Sequence, residues 1–310
     1  MAPHSLRMRG LIQIVVLGLL LYLIVAGFTG LSDSVEAVRT ARPSLVLLAA
    51  ICVGMSYVCA ALTYRLLAAR RLVFRQLLLL QISGGLVNRL LPAGLGGLGV
   101  NAYYLKRHGH TLTQATAIVT LNNLLGFIGN VLLVAGIVMF APPHVSIRVH
   151  ISSQQLGLIL AGLLVVSLAL RIIARRYGRK MRLYKIKSQL QAYFHLLVRR
   201  PVATGGALVS SLALTSLHVS GLYLVLQALS VHGSWAAALL AISGGTIVAA
   251  LVPTPGGLGG AEAGIAGMLV ACGIPLAMAT TAAILYRGLT YWLPLLPGYV
   301  ALRIVEKRYL

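Results

Sequence analysis

Long apolar runs separated by short basic stretches set the pattern of this chain. A membrane-crossing helix needs about 20 mostly apolar residues. Six runs meet that length, at about 10–30, 44–64, 115–140, 156–173, 202–230 and 276–304. Two further regions, about 76–105 and 236–272, are equally apolar but broken near their middle by proline and glycine. There Pro92 and Pro253 end a helical arm, and the glycines that follow permit a tight reversal. The pattern predicts an all-α integral membrane protein with six full spans and two re-entrant helical hairpins. The first run, Leu11 to about Phe28, exceeds the usual apolar stretch of a signal peptide and no A-x-A site follows it, so it reads as a retained span.

The two interrupted regions are copies of one another. Ile82-Ser83-Gly84-Gly85 recurs as Ile242-Ser243-Gly244-Gly245, and Gly96-Gly97-Leu98-Gly99 as Gly256-Gly257-Leu258-Gly259. Both pairs are offset by 160 residues without a gap, and Leu91 matches Leu251, giving nine identities in the eighteen positions 82–99 against 242–259. One register holding both tetrapeptides argues for duplication. The first copy is flanked by Arg70, Arg71, Arg75, Lys106 and Arg107, the second by no Lys or Arg. The copies therefore open on opposite faces, as an inverted repeat with halves at about 44–140 and 202–305 inside a single membrane domain, 1–310. Paired interruptions of this kind point to a transporter's binding site. The plainer alternative is close helix packing through small residues.

Charge orients the chain. With the N-terminus inside, 21 of the 26 Lys and Arg residues fall in cytoplasmic segments, and only Arg39, Arg42 and Arg148 fall outside. This count holds only if each interrupted region returns to the face it left. The expectation is a multi-pass protein of the cell (inner) membrane with both termini cytoplasmic. The basic loop 174–200, with ten basic residues counted from Arg171, sets topology and meets anionic lipid headgroups.

Composition narrows the class. Hydrophobic residues make up 59% of the 310, mean hydropathy is +0.92, and charged residues are 10% against about 25% in a soluble domain. A net charge of +22 raises the question of nucleic acid, but the basic residues lie in short loops between spans rather than on one folded surface. Gly94-x-Gly96-x-x-Gly99 matches a dinucleotide fingerprint by accident, since no strand precedes it and no acid occurs between Glu36 and Glu262. Cys52, Cys59 and Cys272 have no metal spacing and read as small packing residues. No cofactor is expected. With Asp33, Glu36, Glu262 and Glu306 as the whole acid inventory, no catalytic constellation assembles, and no enzymatic activity is expected.

Charge within the bilayer is costly and needs a partner or a purpose. Glu262 follows Gly259 on the returning arm of the second hairpin, and Arg287 lies in the last span. Two compatible readings stand: an ion pair, and a phosphate-binding Arg287 modulated by Glu262. Arg89, beside Asn88 at the end of the first entering arm, either snorkels or lines the same cavity. The glycine tips Gly96, Gly97, Gly256, Gly257 and Gly259 leave backbone N–H groups to meet an anion. Gln81 shares a helix face with Asn88, while Asn122, Asn123 and Asn130, and Ser211, Thr215 and His218, form stripes that bond helices together.

At these residues the chain resembles a known family. Thr254-Pro255-Gly256-Gly257-Leu258-Gly259-x-x-Glu262, then Tyr286-Arg287 and Tyr291-Trp292-Leu293-Pro294, is similar to the second half of the lysylphosphatidylglycerol synthase transmembrane family, also described as flippase-like. Asn88-x-x-x-Pro92 to Gly99 and Tyr104-Leu105-Lys106-Arg107-x-Gly109 fit its first half. The resemblance implies a membrane unit of the kind implicated in moving aminoacylated phosphatidylglycerol between leaflets, without the soluble domain that makes that lipid. The chain departs from the family pattern at Asn101, where an arginine is frequent, and at Asn122 and Asn123, where a Glu-Arg pair is frequent.

The expected function is a lipid translocase or flippase-like protein that moves an anionic or lipid-linked headgroup between leaflets. Its partners are then a membrane phospholipid or lipid-linked substrate, no nucleic acid, and potentially further copies of itself. The alternative is a non-transporting membrane scaffold for a lipid- or glycan-modifying transferase.

Overall fold

A computed structural model describes residues 39–68, 70–90, 95–140, 200–251 and 254–308. The expected spans at 10–30 and 156–173, the basic loop up to residue 199, and Pro92, Gly94 and Pro253 lie outside the described residues. Those described are all-helical. In chain order the helices are α1 (Pro43–Leu67), α2 (Phe74–Leu90), α3 (Leu95–Arg107), α4 (Leu112–Phe140), α5 (Pro201–Ala228), α6 (Trp235–Leu251), α7 (Gly260–Ala271), α8 (Leu276–Arg287) and α9 (Leu295–Arg308), with a π-helical turn, Gly288–Trp292, between the last two. Among the described residues, Pro43–Leu67, Leu112–Ile137 and Pro201–Ala228 are long and apolar enough to cross a membrane. Large apolar side chains face outward along the helices, with Phe127 67% and Leu296 81% exposed, as lipid contact requires and water would penalise.

The offset of 160 residues carries through the elements. Shifted by 160, α1 spans 203–227 against the observed 201–228 of α5, and α2 spans 234–250 against 235–251 of α6. Both long helices begin with proline at the first helical position, Pro43 and Pro201, where a missing N–H costs nothing. These two equivalent helices pack on each other and run antiparallel. The Arg42 N–H donates to the Ala228 carbonyl at 3.0 Å at one end, and Arg200 Nη1 donates to the Ala68 carbonyl at 2.9 Å at the other. Ala68 and Ala228 are themselves 160 residues apart.

Each half has its own core. One gathers Tyr64, Leu77, Leu80, Tyr104, Leu105, Ile118 and Leu121, and takes Ala207 and Val305 from the second half. The other gathers Leu222, Leu226, Leu239, Leu269, Ala282 and Tyr286, and takes Ala49 and Val53 from α1. Small residues bring α6 and α7 together: a Cβ added to Gly264 of α7 would stand 2.7 Å from the Gly245 Cα on α6. Dispersion between closely set backbones replaces a hydrophobic drive that lipid cannot supply.

The run 276–304, expected as one span, is broken. Leu293 donates its N–H to Gly288 at 2.9 Å, one residue farther back than an α-helix requires, and α9 starts only after Pro294. Proline has no N–H to give and crowds the preceding turn, so the α-helical ladder cannot continue through residue 294. α9 instead folds along α2, where Gly298 lets it approach Leu86 and Ile82.

Candidate functional site

The π-turn has a chemical consequence. In a continuous α-helix the Thr290 carbonyl would accept from residue 294, and Pro294 cannot donate. That carbonyl is taken instead by Arg89, in the last turn of α2, whose Nη2 donates to it at 2.6 Å and to the Tyr57 hydroxyl at 3.1 Å. Arg89 Nη1 is buried with no partner. A buried guanidinium nitrogen left unpaired is costly unless a ligand completes it.

Opposite stands Arg287. Its Nε donates to Glu262 Oε1 at 2.7 Å, and its Nη2 donates to the Gly256 carbonyl at 3.0 Å. The second Glu262 oxygen accepts the Gly259 N–H at 2.7 Å, a capping interaction that starts α7. The pair is largely enclosed, with side-chain exposures of 14% for Arg287 and 23% for Glu262. The ion-pair reading of Arg287 holds, and the paired arginine also lines a cavity. The Tyr291 ring is near both arginines, its centre 4.8 Å from the Arg287 guanidinium carbon and 5.9 Å from that of Arg89. These are cation–π distances.

Gly256, Gly257 and Gly259 adopt φ of +60°, +67° and +82°, which a side chain disfavours. At Gly256 an added Cβ would also meet the Tyr291 ring at 2.5 Å and the Arg89 backbone at 3.2 Å. The turn before α7 thus abuts the C-terminal end of α2. Between them opens a cavity of about 480 Å³, lined by Gly85, Asn88, Arg89, Ala249, Ala250, Gly256, Gly257, Arg287, Thr290 and Tyr291. A second cavity of about 230 Å³ shares Gly85, Asn88, Arg89 and Thr290 and adds Gln81, Asn101, Gly97, Tyr57 and His218 among others.

The expectation of free N–H groups at the glycine tips is not met at three positions. The Gly97 N–H donates to Asn88 Oδ1 at 2.5 Å, that of Gly257 to the Thr254 carbonyl at 3.1 Å, and that of Gly259 to Glu262. Enclosed N–H groups must be paired, and the turns consume their own donors. What faces the cavities is guanidinium and amide. Gly96 packs against Val87 of α2, and Gly259 and Glu262 stand behind Arg287. Arg89, Asn88, Gly97, Gly256, Gly257 and Arg287 all reach a cavity wall.

The other polar stripes serve in part as helix contacts. Ser243 donates to Asn130 Oδ1 at 3.1 Å across α6 and α4, and His218 Nδ1 lies 3.0 Å from the Tyr286 hydroxyl. Gln81 Nε2 donates to Asn101 Oδ1 at 2.9 Å, and Asn101 Nδ2 to the Gly97 carbonyl at 2.7 Å. Tyr57 and Thr290 did not stand out in the sequence. Pro294, four residues after Thr290, was the available sign that this carbonyl is unclaimed. No such sign attaches to Tyr57.

Apolar helices with apolar exteriors and a cationic cavity between them define a helical membrane protein. A sequence profile described as the lysylphosphatidylglycerol synthase TM region matches residues 10–298, and the chain belongs to that family. No curated protein matches the chain.

Proposed function

We propose that this protein is a lipid translocase that moves the anionic headgroup of a phospholipid or lipid-linked substrate between leaflets, leaving the acyl tails in lipid. The observation that carries the reading is the cavity where Arg89 and Arg287 flank Tyr291, with Arg89 Nη1 buried and unpartnered. Family membership points the same way, toward flippase-like membrane proteins. In this reading the two halves form an inverted repeat of re-entrant hairpins whose tips meet at the ligand. Support comes from the antiparallel α1 and α5 and from the matching contacts at Ala68 and Ala228. The protein moves its ligand without transforming it, since Glu262 is committed to Arg287 and to the Gly259 N–H.

The protein is then a multi-pass component of the cell membrane with its basic end in the cytoplasm. Arg65, Arg70, Arg71 and Arg200 line a recess of about 680 Å³ at that end, suited to anionic lipid headgroups.

The test is translocation of fluorescent phospholipids in proteoliposomes, read by the fraction protected from an impermeant quencher. Charge-assisted hydrogen bonds are worth roughly 1.5–3 kcal/mol, so Arg287→Ala and Arg89→Ala should each slow transport about tenfold or more. Arg287→Lys keeps the charge but loses the fork and should fall between. Wild-type rates in folded Arg287→Ala protein overturn the role given to that residue.

A further inference from the structure

The two cavities differ in chemistry. The larger presents Arg89 and Arg287 beside Tyr291. The smaller presents the amides of Gln81, Asn88 and Asn101 with the Tyr57 phenol and the His218 imidazole. Arg89 and Asn88 stand on both walls, so the polar chamber begins where the cationic one ends.

A counter-charge for a cation is missing from this arrangement. Among the described residues no carboxylate lines either cavity. Glu262 has one oxygen on Arg287 and the other on the Gly259 N–H, and Glu306 pairs with Arg303 on the exposed face of α9. The Gly256 and Thr290 carbonyls at the cavity are also engaged, by Arg287 and Arg89 respectively. An ammonium group has three donors and no acceptor. Here it would meet two guanidinium groups with no counter-charge of its own. A hydroxyl both donates and accepts, which matches carboxamides. The bonds Gln81 to Asn101 and Asn101 to Gly97 hold these amides in place while using only part of their capacity.

Resting on the translocase reading, we infer that the site takes an anionic phospholipid whose headgroup beyond the phosphate is uncharged and hydroxylated, and discriminates against headgroups that end in an amine. The phosphate lies between Arg89 and Arg287, and the hydroxyls reach Asn88, Gln81 and Asn101. A lysyl ester of phosphatidylglycerol is thus a poor ligand for this chain, although the family description carries that lipid's name. Selectivity here comes from an absent counter-charge as much as from the donors present.

The experiment compares acyl-labelled phosphatidylglycerol, phosphatidylinositol, phosphatidylethanolamine and lysyl-phosphatidylglycerol in identical proteoliposomes. Phosphatidylglycerol and phosphatidylinositol should move at least tenfold faster than the two amine-bearing lipids. Lysyl-phosphatidylglycerol moving as fast as phosphatidylglycerol overturns the inference and leaves the translocase reading standing. No lipid moving faster than in protein-free vesicles overturns both. Gln81→Glu places a carboxylate in the amide chamber at unchanged size and should narrow the gap for lysyl-phosphatidylglycerol. With folding checked by size-exclusion chromatography, an unchanged ratio in that variant overturns the assignment of the amide chamber to the headgroup.

Discussion

Glu262 and Arg287 act as one unit. The carboxylate caps α7 with one oxygen and neutralises Arg287 with the other, and Arg287 in turn ties down the Gly256 carbonyl at the hairpin tip. Breaking a buried pair by removing one partner costs about 3–5 kcal/mol, because the remaining charge stays enclosed. At 14% and 23% side-chain exposure the lower end of that range applies, about 3 kcal/mol. Glu262→Gln should therefore lower stability in detergent by roughly that amount. Glu262→Gln combined with Arg287→Gln should cost less than the two single changes summed, because no charge is then stranded. Chemical unfolding of the four proteins gives the coupling, and strict additivity would show that the pair is not energetically linked.

At the scale of elements, the turn between α3 and α4 carries a pH dependence. His110 is 4% exposed there, with Nδ1 3.1 Å from the Leu105 carbonyl and Nε2 buried without a partner. Burial holds its pKa below the ordinary 6.5, and Arg70 and His108 push the same way against the Leu105 bond. A proton on Nε2 would find no acceptor, so the folded state binds it less readily than the unfolded chain does. The stability from neutral His110 is complete above about pH 6.5 and is lost as pH falls through the lower folded value. His110→Gln should flatten the fall in thermal midpoint between about pH 7 and pH 5. A parallel fall in both proteins removes His110 as the cause.

The same scale shows what the sequence could convey. Pattern and period located α1, α2, α5 and α6 within a few residues, because lipid exposure forces long apolar runs and the duplication repeats their borders. α7 was less legible: it begins at Gly260, five residues beyond the position equivalent to the start of α3, because three glycines with positive φ spin out the turn. The break at 288–292 was hidden, since hydropathy does not register a lost hydrogen bond, and only Pro294 hinted at it. At the site, rare charges within apolar runs singled out Arg89, Glu262 and Arg287, whereas the pairing of N–H groups inside the glycine turns depends on φ and ψ that composition does not convey.

Across the whole molecule, charge is gathered at one end of the bundle. The end of α1, with Arg65, Arg70 and Arg71, meets Arg200 at the start of α5. Gly109, just after Lys106 and Arg107, lies against Arg70, and Val305 near the end of α9 joins the same core as Tyr64 and Leu77. At the other end, Arg42 meets Ala228, four residues before His232 in the α5–α6 turn. The α3–α4 turn and the α5–α6 turn therefore stand at opposite ends of the antiparallel pair α1 and α5. Positive charge is retained on the cytoplasmic face during insertion, so the Arg65–Arg200 end is expected on the inside. Lys106 and His232 are both exposed and suit single-cysteine labelling in a background where Cys52, Cys59 and Cys272 are replaced. In intact cells an impermeant maleimide should label His232→Cys readily and Lys106→Cys only after permeabilisation. Equal labelling of both from one side would mean that the hairpins do not return to the face they leave, and the proposed inverted repeat, in which Gly256 would meet Arg89 from the opposite leaflet, would fail with it.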